Sequence, residues 1–210
     1  YKRTLPELKL PIRSLSNVTY DKKTGYLQLG KGRKARALSV NTVKNFAQTL
    51  RFMALSKELV ANDDFATKRE AYYLSKNWGE CKFKEQPESD AVMDDIEALA
   101  SLDGLLRENL RYRPAQHGGS VAGQLTVIDR KKSTGEDQRI DCTEMGSGAY
   151  MIPSSVEHLR FETKAKFILA IETGGMFGRL NEHEYWKQTN CILVDMGGVP
   201  SRAQRRFIRR

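Results

Sequence analysis

The sequence predicts a chain of mixed class, an α+β part followed by an α/β part: a winged-helix segment leading into a Rossmann-like parallel sheet. Three observations point there. Helical periodicity dominates residues 39 to about 100, two strand-like runs joined by a polar turn follow, and beyond residue 155 continuous apolar runs alternate with helical ones. With 210 residues, 40% of them hydrophobic, the chain can bury the core of one large domain or two small ones. The expected divisions are a basic lead-in over 1–38, a helical and winged region over 39–150, and a parallel-sheet region over 155–210.

The lead-in holds ten Lys and Arg within residues 1 to 36, and its "YDKKTGYLQLG" places a Lys-Thr-Gly turn between short alternating runs, as in a hairpin. From Ser39, the expected cap, Val40, Val43, Phe46, Leu50, Met53 and Val60 recur at near-helical spacing and predict a long amphipathic helix. Thr67 followed by Glu70 is a capping-box pattern, so a second helix is expected to start at Lys68 and to carry Tyr72 and Tyr73 in its second turn. A third follows Pro87, with Val92, Met93, Ile96 and Leu99 on one stripe and acids opposite. "SVAGQLTVID" and "QRIDCTEM", joined by "RKKSTGED", read as a hairpin that would serve as the wing. "KFILAIE" and "CILVDM" read as buried parallel strands, with "GGMFGRLNEHEYW" as the helix between them and "SRAQRRFIRR" as the start of another.

Thirty-five Lys and Arg against 26 Asp and Glu give a net charge of +9 and a pI near 9.5, which favours a polyanionic partner such as nucleic acid. Cys81, Cys142 and Cys191 are far apart and in no CxxC pattern, so neither a disulfide framework nor a zinc site is expected, and a reducing cytoplasm fits. No apolar run approaches the roughly 20 residues that span a bilayer, so no membrane partner is expected. The start at Tyr1 without methionine and the stop in an arginine-rich segment suggest a fragment.

Arg69 and Tyr73 are four residues apart and share one helical face, with Tyr72 rotated about 100° away. A phenol, with a pKa near 10, is a poor nucleophile until a base, a metal or a local positive charge favours phenolate. Arginine cannot be that base, but it can hold a phosphate and stabilise the charge that develops on it. The spacing therefore permits a tyrosine attacking a phosphodiester beside an arginine clamp; packing of a Tyr pair, the commoner use, stays open. Glu172 ends "FILAIE" before Gly174 and Gly175, where carboxylates of open α/β sheets meet ligands and magnesium ions, although a solvated loop acid would read the same. Asp195 lies near the end of the next strand with its direction unset. "GGVPSRAQRRFIRR" has five arginines in its last nine residues, of which Arg202, Arg205 and Arg206 suit contacts to a DNA backbone or a solvated basic helix. "GSGAY" from Gly146 has no nucleotide-loop spacing, and His117, His158 and His183 have no metal-ligand spacing.

Taken in order, these segments resemble the A subunit of type IIB DNA topoisomerase, topoisomerase VI, whose relatives include the meiotic protein that makes programmed double-strand breaks. "LKLPIRSLSNVTYDKKTGYLQLG" resembles the archaeal protein's N-terminal region, "TKREAYY" its Arg-acid-x-aromatic-Tyr motif, "FILAIETGGMFGRL" its first Toprim strand and helix, and "GGVPSRAQRRFIRR" its Gly-x-Pro…Arg-Arg segment. The resemblance implies a winged-helix (CAP-like) domain and a Toprim domain cut short at the C-terminus. It makes Tyr73 the nucleophile, Arg69 and Glu70 the motif's charged members, Tyr72 a packing residue, and Glu172 the first Toprim ligand of Mg2+. The family's Asp-x-Asp pair does not occur before Arg210, which implies a longer protein. Also implied are double-stranded DNA as substrate and a 5′-phosphotyrosyl intermediate. The assembly would be an A2B2 complex in which the A homodimer joins the B subunit, a GHKL ATPase that binds the ATP, in an archaeal cytoplasm near the nucleoid. Two other readings remain: a non-catalytic winged-helix module for DNA binding or assembly, and a Toprim nuclease that hydrolyses with water.

Overall fold

The computed structural model describes residues 6–114 and 118–210, and they fall into two compact units, Tyr1–Arg113 and Pro114–Arg210. His117 lies outside the described residues. In the first unit the lead-in is folded into β1 (Glu7–Pro11), β2 (Val18–Asp21), β3 (Tyr26–Leu29) and β4 (Arg33–Ala37). β2 and β3 form the expected antiparallel hairpin, and Gly25 supplies the positive φ its turn requires. β1 pairs antiparallel with β4, bringing both next to the helices that follow.

The first helix, α1 (Val43–Ala61), begins four residues after the expected Ser39 cap. The Thr42 hydroxyl accepts from the Ser39 backbone N–H at 3.1 Å and donates to the Ala37 carbonyl, which holds these residues in a turn and leaves Val40 93% exposed. Its buried stripe is Phe46, Thr49, Phe52, Ser56 and Leu59. Apolar periodicity alone misses this stripe, because two of its members are hydroxyls satisfied inside: Thr49 donates to Asn45 O at 2.8 Å and Ser56 to Leu110 O at 2.8 Å. β5 (Ala66–Thr67) leads directly into α2 (Lys68–Leu74), and α3 (Gln86–Ala100) follows with Pro87 in its first turn. β6 (Tyr112–Arg113) pairs parallel with β5. The core between them centres on Phe52, fully buried, whose ring lies 5.2 Å from Trp78, 5.3 Å from Phe83 and 6.1 Å from Tyr112. The Tyr112 hydroxyl donates to the Phe52 carbonyl at 3.0 Å, and burial pushes its pKa up.

α3 departs from the expectation that its acids face water. Asp95 is 3% exposed and receives Arg13 Nε at 2.9 Å, Arg36 Nη2 at 2.6 Å and Lys34 Nζ at 3.2 Å. Burial pushes its carboxyl pKa up, but the hydrogen bonds of Arg13, Lys34 and Arg36 and the charge of Lys34 outweigh that and leave it lowered. Asp94 pairs with Lys68 and Arg107. Part of the lead-in's positive charge is therefore consumed inside the protein.

The second unit contains β7 (Ser120–Gly123), β8 (Leu125–Arg130), β9 (Asp137–Asp141), β10 (Tyr150–Met151), β11 (Arg160–Thr163), β12 (Phe167–Ile171), α4 (Gly174–Glu182), α5 (Tyr185–Thr189), β13 (Cys191–Asp195) and α6 (Arg202–Arg209). The expected hairpin exists as β8–β9, but in this unit, where β8 also pairs with β11 in a three-stranded antiparallel sheet. The strands expected as a wing of the helical region bury Leu125 and Val127 in a core with Val194 and Phe207. The run "SVAGQLTVID" is two strands in two sheets. They part at Gly123, where φ is 105° and a Cβ would sit 2.6 Å from the Cys191 carbonyl oxygen.

The other sheet runs β10-β7-β13-β12 and is mixed: β12 and β13 are parallel, while β13–β7 and β7–β10 are antiparallel. The all-parallel expectation thus holds for one pair. β13 is buried, but β12 is the edge strand, with Phe167 45% and Ile168 41% exposed, so a continuous apolar run did not mean burial on both faces. The helix expected between them is broken into α4 and α5 by Glu184 in the left-handed region. Among the described residues no helix is long and apolar enough to cross a membrane.

Candidate functional site

The seven residues of α2 are too few for a helix that holds itself in water, and tertiary contacts fix both of its ends. At the start, the Thr67 side chain accepts from Glu70 N at 3.2 Å and the Glu70 carboxylate accepts from Thr67 N at 2.7 Å, the capping box read from the sequence. Lys68 reaches Asp94 of α3 at 2.9 Å, and Ala71 is fully buried. Toward the other end, the Tyr72 hydroxyl donates to Lys84 O at 3.1 Å, and Lys76 Nζ donates to Phe83 O at 2.8 Å and to Lys84 O at 3.1 Å. Lys76 Nζ also lies 4.2 Å from the Tyr72 ring centre. Tyr72 packs against the core, as expected for a packing residue.

Tyr73 is the more open of the two, 54% exposed, with its ring centre 5.4 Å from that of Tyr72. Arg69, also exposed, donates from Nη2 to the Tyr73 hydroxyl oxygen at 3.3 Å, and its Cζ is 5.7 Å from the ring centre, so the guanidinium sits at the phenolic end. That hydrogen bond raises the Arg69 pKa further and keeps its charge fixed. A phenol oxygen and a permanent cation thus face solvent together, where a phosphate could approach both.

In the second unit Glu172 follows β12 and is exposed, and Asp195 ends β13 opposite Ile171 in the parallel register. The turn is fixed by Met196 N donating to Ile171 O at 2.7 Å and Gly198 N to Glu172 O at 2.8 Å. Asp195 Oδ1 accepts from Gly197 N at 3.1 Å, and Oδ2 lies 3.7 Å from where a Cβ on Gly174 would stand. The direction of Asp195 that the sequence left open is therefore toward the start of α4. Glu172 and Asp195 each carry the hard oxygen donors that magnesium takes, one or two carboxylates at a time, with water and phosphate in its other positions. Among the described residues no group of three His, Cys, Asp or Glu side chains could hold a metal ion.

Of the arginines singled out at the C-terminal helix, Arg205 and Arg206 bond to groups within the chain. α6 starts at a capping box between Ser201 and Gln204. Arg206 Nε bonds Glu157 Oε1 at 2.5 Å, and Arg205, exposed, donates to Pro200 O at 2.7 Å. Arg202, in the first turn of α6, is half-buried. Sequence reasoning missed the ionic cluster on Asp95, although the signal was present: Asp95 lies three residues after Val92 and one before Ile96, on the stripe assigned to the core. It also missed the clamp on the Lys84 carbonyl, for which backbone placement leaves no sequence signal.

Three family models match in succession. "Type IIB DNA topoisomerase" matches residues 44–111, "All-beta domain in DNA topoisomerase VI alpha subunit" residues 115–165, and the Toprim domain of the topoisomerase 6 A-subunit/Spo11 family residues 167–210. The second covers the β8–β9 hairpin, and the junction between the first two falls where the two units part. The chain is similar to the type 2 DNA topoisomerase 6 A subunit of Methanocaldococcus jannaschii, 50% identical over 98% of this chain and 54% of that protein. Proteins of the same name from Methanosarcina mazei and Archaeoglobus fulgidus are 37% and 35% identical, over 100% and 98% of this chain and 56% and 57% of theirs. The chain spans about half the length of these curated relatives.

Proposed function

The chain belongs to the topoisomerase VI A-subunit family, and from that membership we propose that a protein carrying it cuts and rejoins duplex DNA by transesterification through Tyr73. The observation that carries this is the exposed Tyr73 phenol with Arg69 Nη2 at 3.3 Å, on a helix pinned at both ends. In the forward step the Tyr73 oxygen bonds to a backbone phosphorus and loses its proton. The bond from that phosphorus to the 3′ oxygen breaks, and the 3′ oxygen leaves as a hydroxyl. The protein is then joined to a 5′ phosphate, and reversal restores the strand with no outside energy. Arg69 holds the phosphate and offsets the charge that grows on its oxygens, without taking a proton. The pinned ends of α2 keep the phenol in one direction, which lowers the cost of aligning it with the scissile bond.

Glu172, with Asp195 at the end of β13, would hold Mg2+ in the Toprim domain, and the ion when bound supplies positive charge near the phosphate. Arg205 and neighbouring arginines of α6 contribute backbone contacts that orient the duplex. The family membership supports the remaining parts of the reading: double-stranded DNA as substrate, a homodimer of A cutting both strands, and the B subunit as the GHKL ATPase partner in an A2B2 assembly of the archaeal cytoplasm. The three relatives cited above, topoisomerase 6 A subunits from archaea, favour this branch.

The test uses a longer protein containing this chain, with its ATPase partner, ATP, Mg2+ and supercoiled DNA, and scores protein attached to 5′ ends. Attachment that is lost with Tyr73→Phe supports the proposal. Cleavage that leaves free 5′ phosphates and ignores Tyr73→Phe indicates a hydrolytic Toprim nuclease; salt-sensitive binding without cleavage indicates a DNA-docking module.

A further inference from the structure

We infer that Glu70, the acid beside the Arg69 and Tyr73 pair, is a positioning residue that sets where α2 begins, and that it takes no part in proton transfer or metal binding. The inference rests on the reading of Tyr73 as nucleophile. Glu70 and Tyr73 are three residues apart on one helix and line the same surface cleft, which by proximity alone suggests a general base. The hydrogen bonds point elsewhere. The Glu70 carboxylate is turned back toward the helix start, where Oε2 accepts from Thr67 N at 2.7 Å, while Glu70 N donates to the Thr67 hydroxyl at 3.2 Å.

Thr67 is also the last residue of β5, opposite Arg113 in the parallel pair with β6. Ala66 before it is buried and donates its N–H to Arg111 O at 3.0 Å. The capping box therefore joins a strand whose place is fixed to a helix of seven residues. One residue of slippage at that joint would rotate the face that carries Arg69 and Tyr73 by about 100° and move the pair together away from its present exposed position. A capping box accepts glutamine as readily as glutamate, because the amide oxygen can take the same backbone N–H. A base or a magnesium ligand has no such tolerance.

The experiment measures covalent 5′ adduct in the complex of the longer protein with its ATPase partner for Glu70→Gln, Glu70→Ala, Thr67→Val, the Thr67→Val/Glu70→Ala pair and Tyr73→Phe. Glu70→Gln is expected within about twofold of the parent, Glu70→Ala and Thr67→Val each down about fivefold, and the pair scarcely lower than either alone, since both remove one device. Glu70→Gln falling as far as Tyr73→Phe overturns the inference, because the carboxylate would then be acting on the reaction. Glu70→Ala at the parent level overturns it also, because the box would be holding nothing. If Glu70→Ala unfolds, the Glu70→Gln result decides. An adduct that survives Tyr73→Phe removes the nucleophile assignment, an outcome separate from either.

Discussion

At the residue scale, two adjacent tyrosines whose rings lie 5.4 Å apart have different hydroxyl partners. Tyr72 spends its hydroxyl on the Lys84 carbonyl, whereas Tyr73 meets a cation and solvent on the exposed side. Arg69→Ala should lower adduct formation about 10²-fold, the order seen when one preorganised donor to a developing charge is removed. Because Arg69 is exposed, the stability of that variant in thermal unfolding should stay within about 0.5 kcal/mol of the parent. Arg69→Lys should recover little, since an ammonium lacks the planar fork. Tyr72→Phe should do the opposite, keeping the adduct while costing about 1 kcal/mol for the lost hydrogen bond, measured by denaturant unfolding. The i to i+4 spacing made the Arg69 and Tyr73 contact legible in the sequence. That Tyr72 is the packing residue came only from the family resemblance and not from spacing, because it depends on where the 82–85 segment passes, and only tertiary structure sets its path.

At the scale of elements, local rules succeeded where one element settles the matter. The capping boxes, the β2–β3 turn and the β8–β9 hairpin follow from nearby residues. They failed where a neighbour decides: the strand divided at Gly123, the helix broken at Glu184, and the apolar β12 left at a sheet edge. Gly123→Ala should destabilise the protein by more than about 1 kcal/mol, because an alanine would combine left-handed strain with overlap against the Cys191 carbonyl. The Asp95 cluster that joins α3 to β1 and β4 gives a pH dependence. Its folded pKa is lowered, so the stabilisation is complete above the ordinary carboxylate value of about 3.9 and is lost as pH falls below that toward the folded value. Unfolding scans from about pH 6 to pH 2 should show Asp95→Asn less stable at the upper end and the gap to the parent closing below about pH 4.

For the molecule as a whole, the 35 Lys and Arg are not equally available to DNA, because Arg13, Lys34 and Arg36 converge on Asp95 and Arg206 pairs with Glu157. Sequence counting sees the charges but not their partners, which is why the arginine cluster looked uniform. Duplex affinity measured against salt should separate them. Arg205→Ala should reduce the slope of log affinity against log salt by about 0.9, one phosphate contact. Arg206→Ala should act mainly on stability, costing about 1 kcal/mol by removing the cation from a half-buried Glu157 that keeps its bonds from Ser155 and Val156. The most direct measurement traps the protein on supercoiled DNA, digests both components and locates the attached nucleotide by mass spectrometry. The tryptic peptide running from Glu70 to Lys76 contains both tyrosines, and fragmentation distinguishes them. A nucleotide joined through its 5′ phosphate to Tyr73 is the expected result; attachment at Tyr72 or outside this peptide, or cleaved DNA with no attachment at all, would contradict the account.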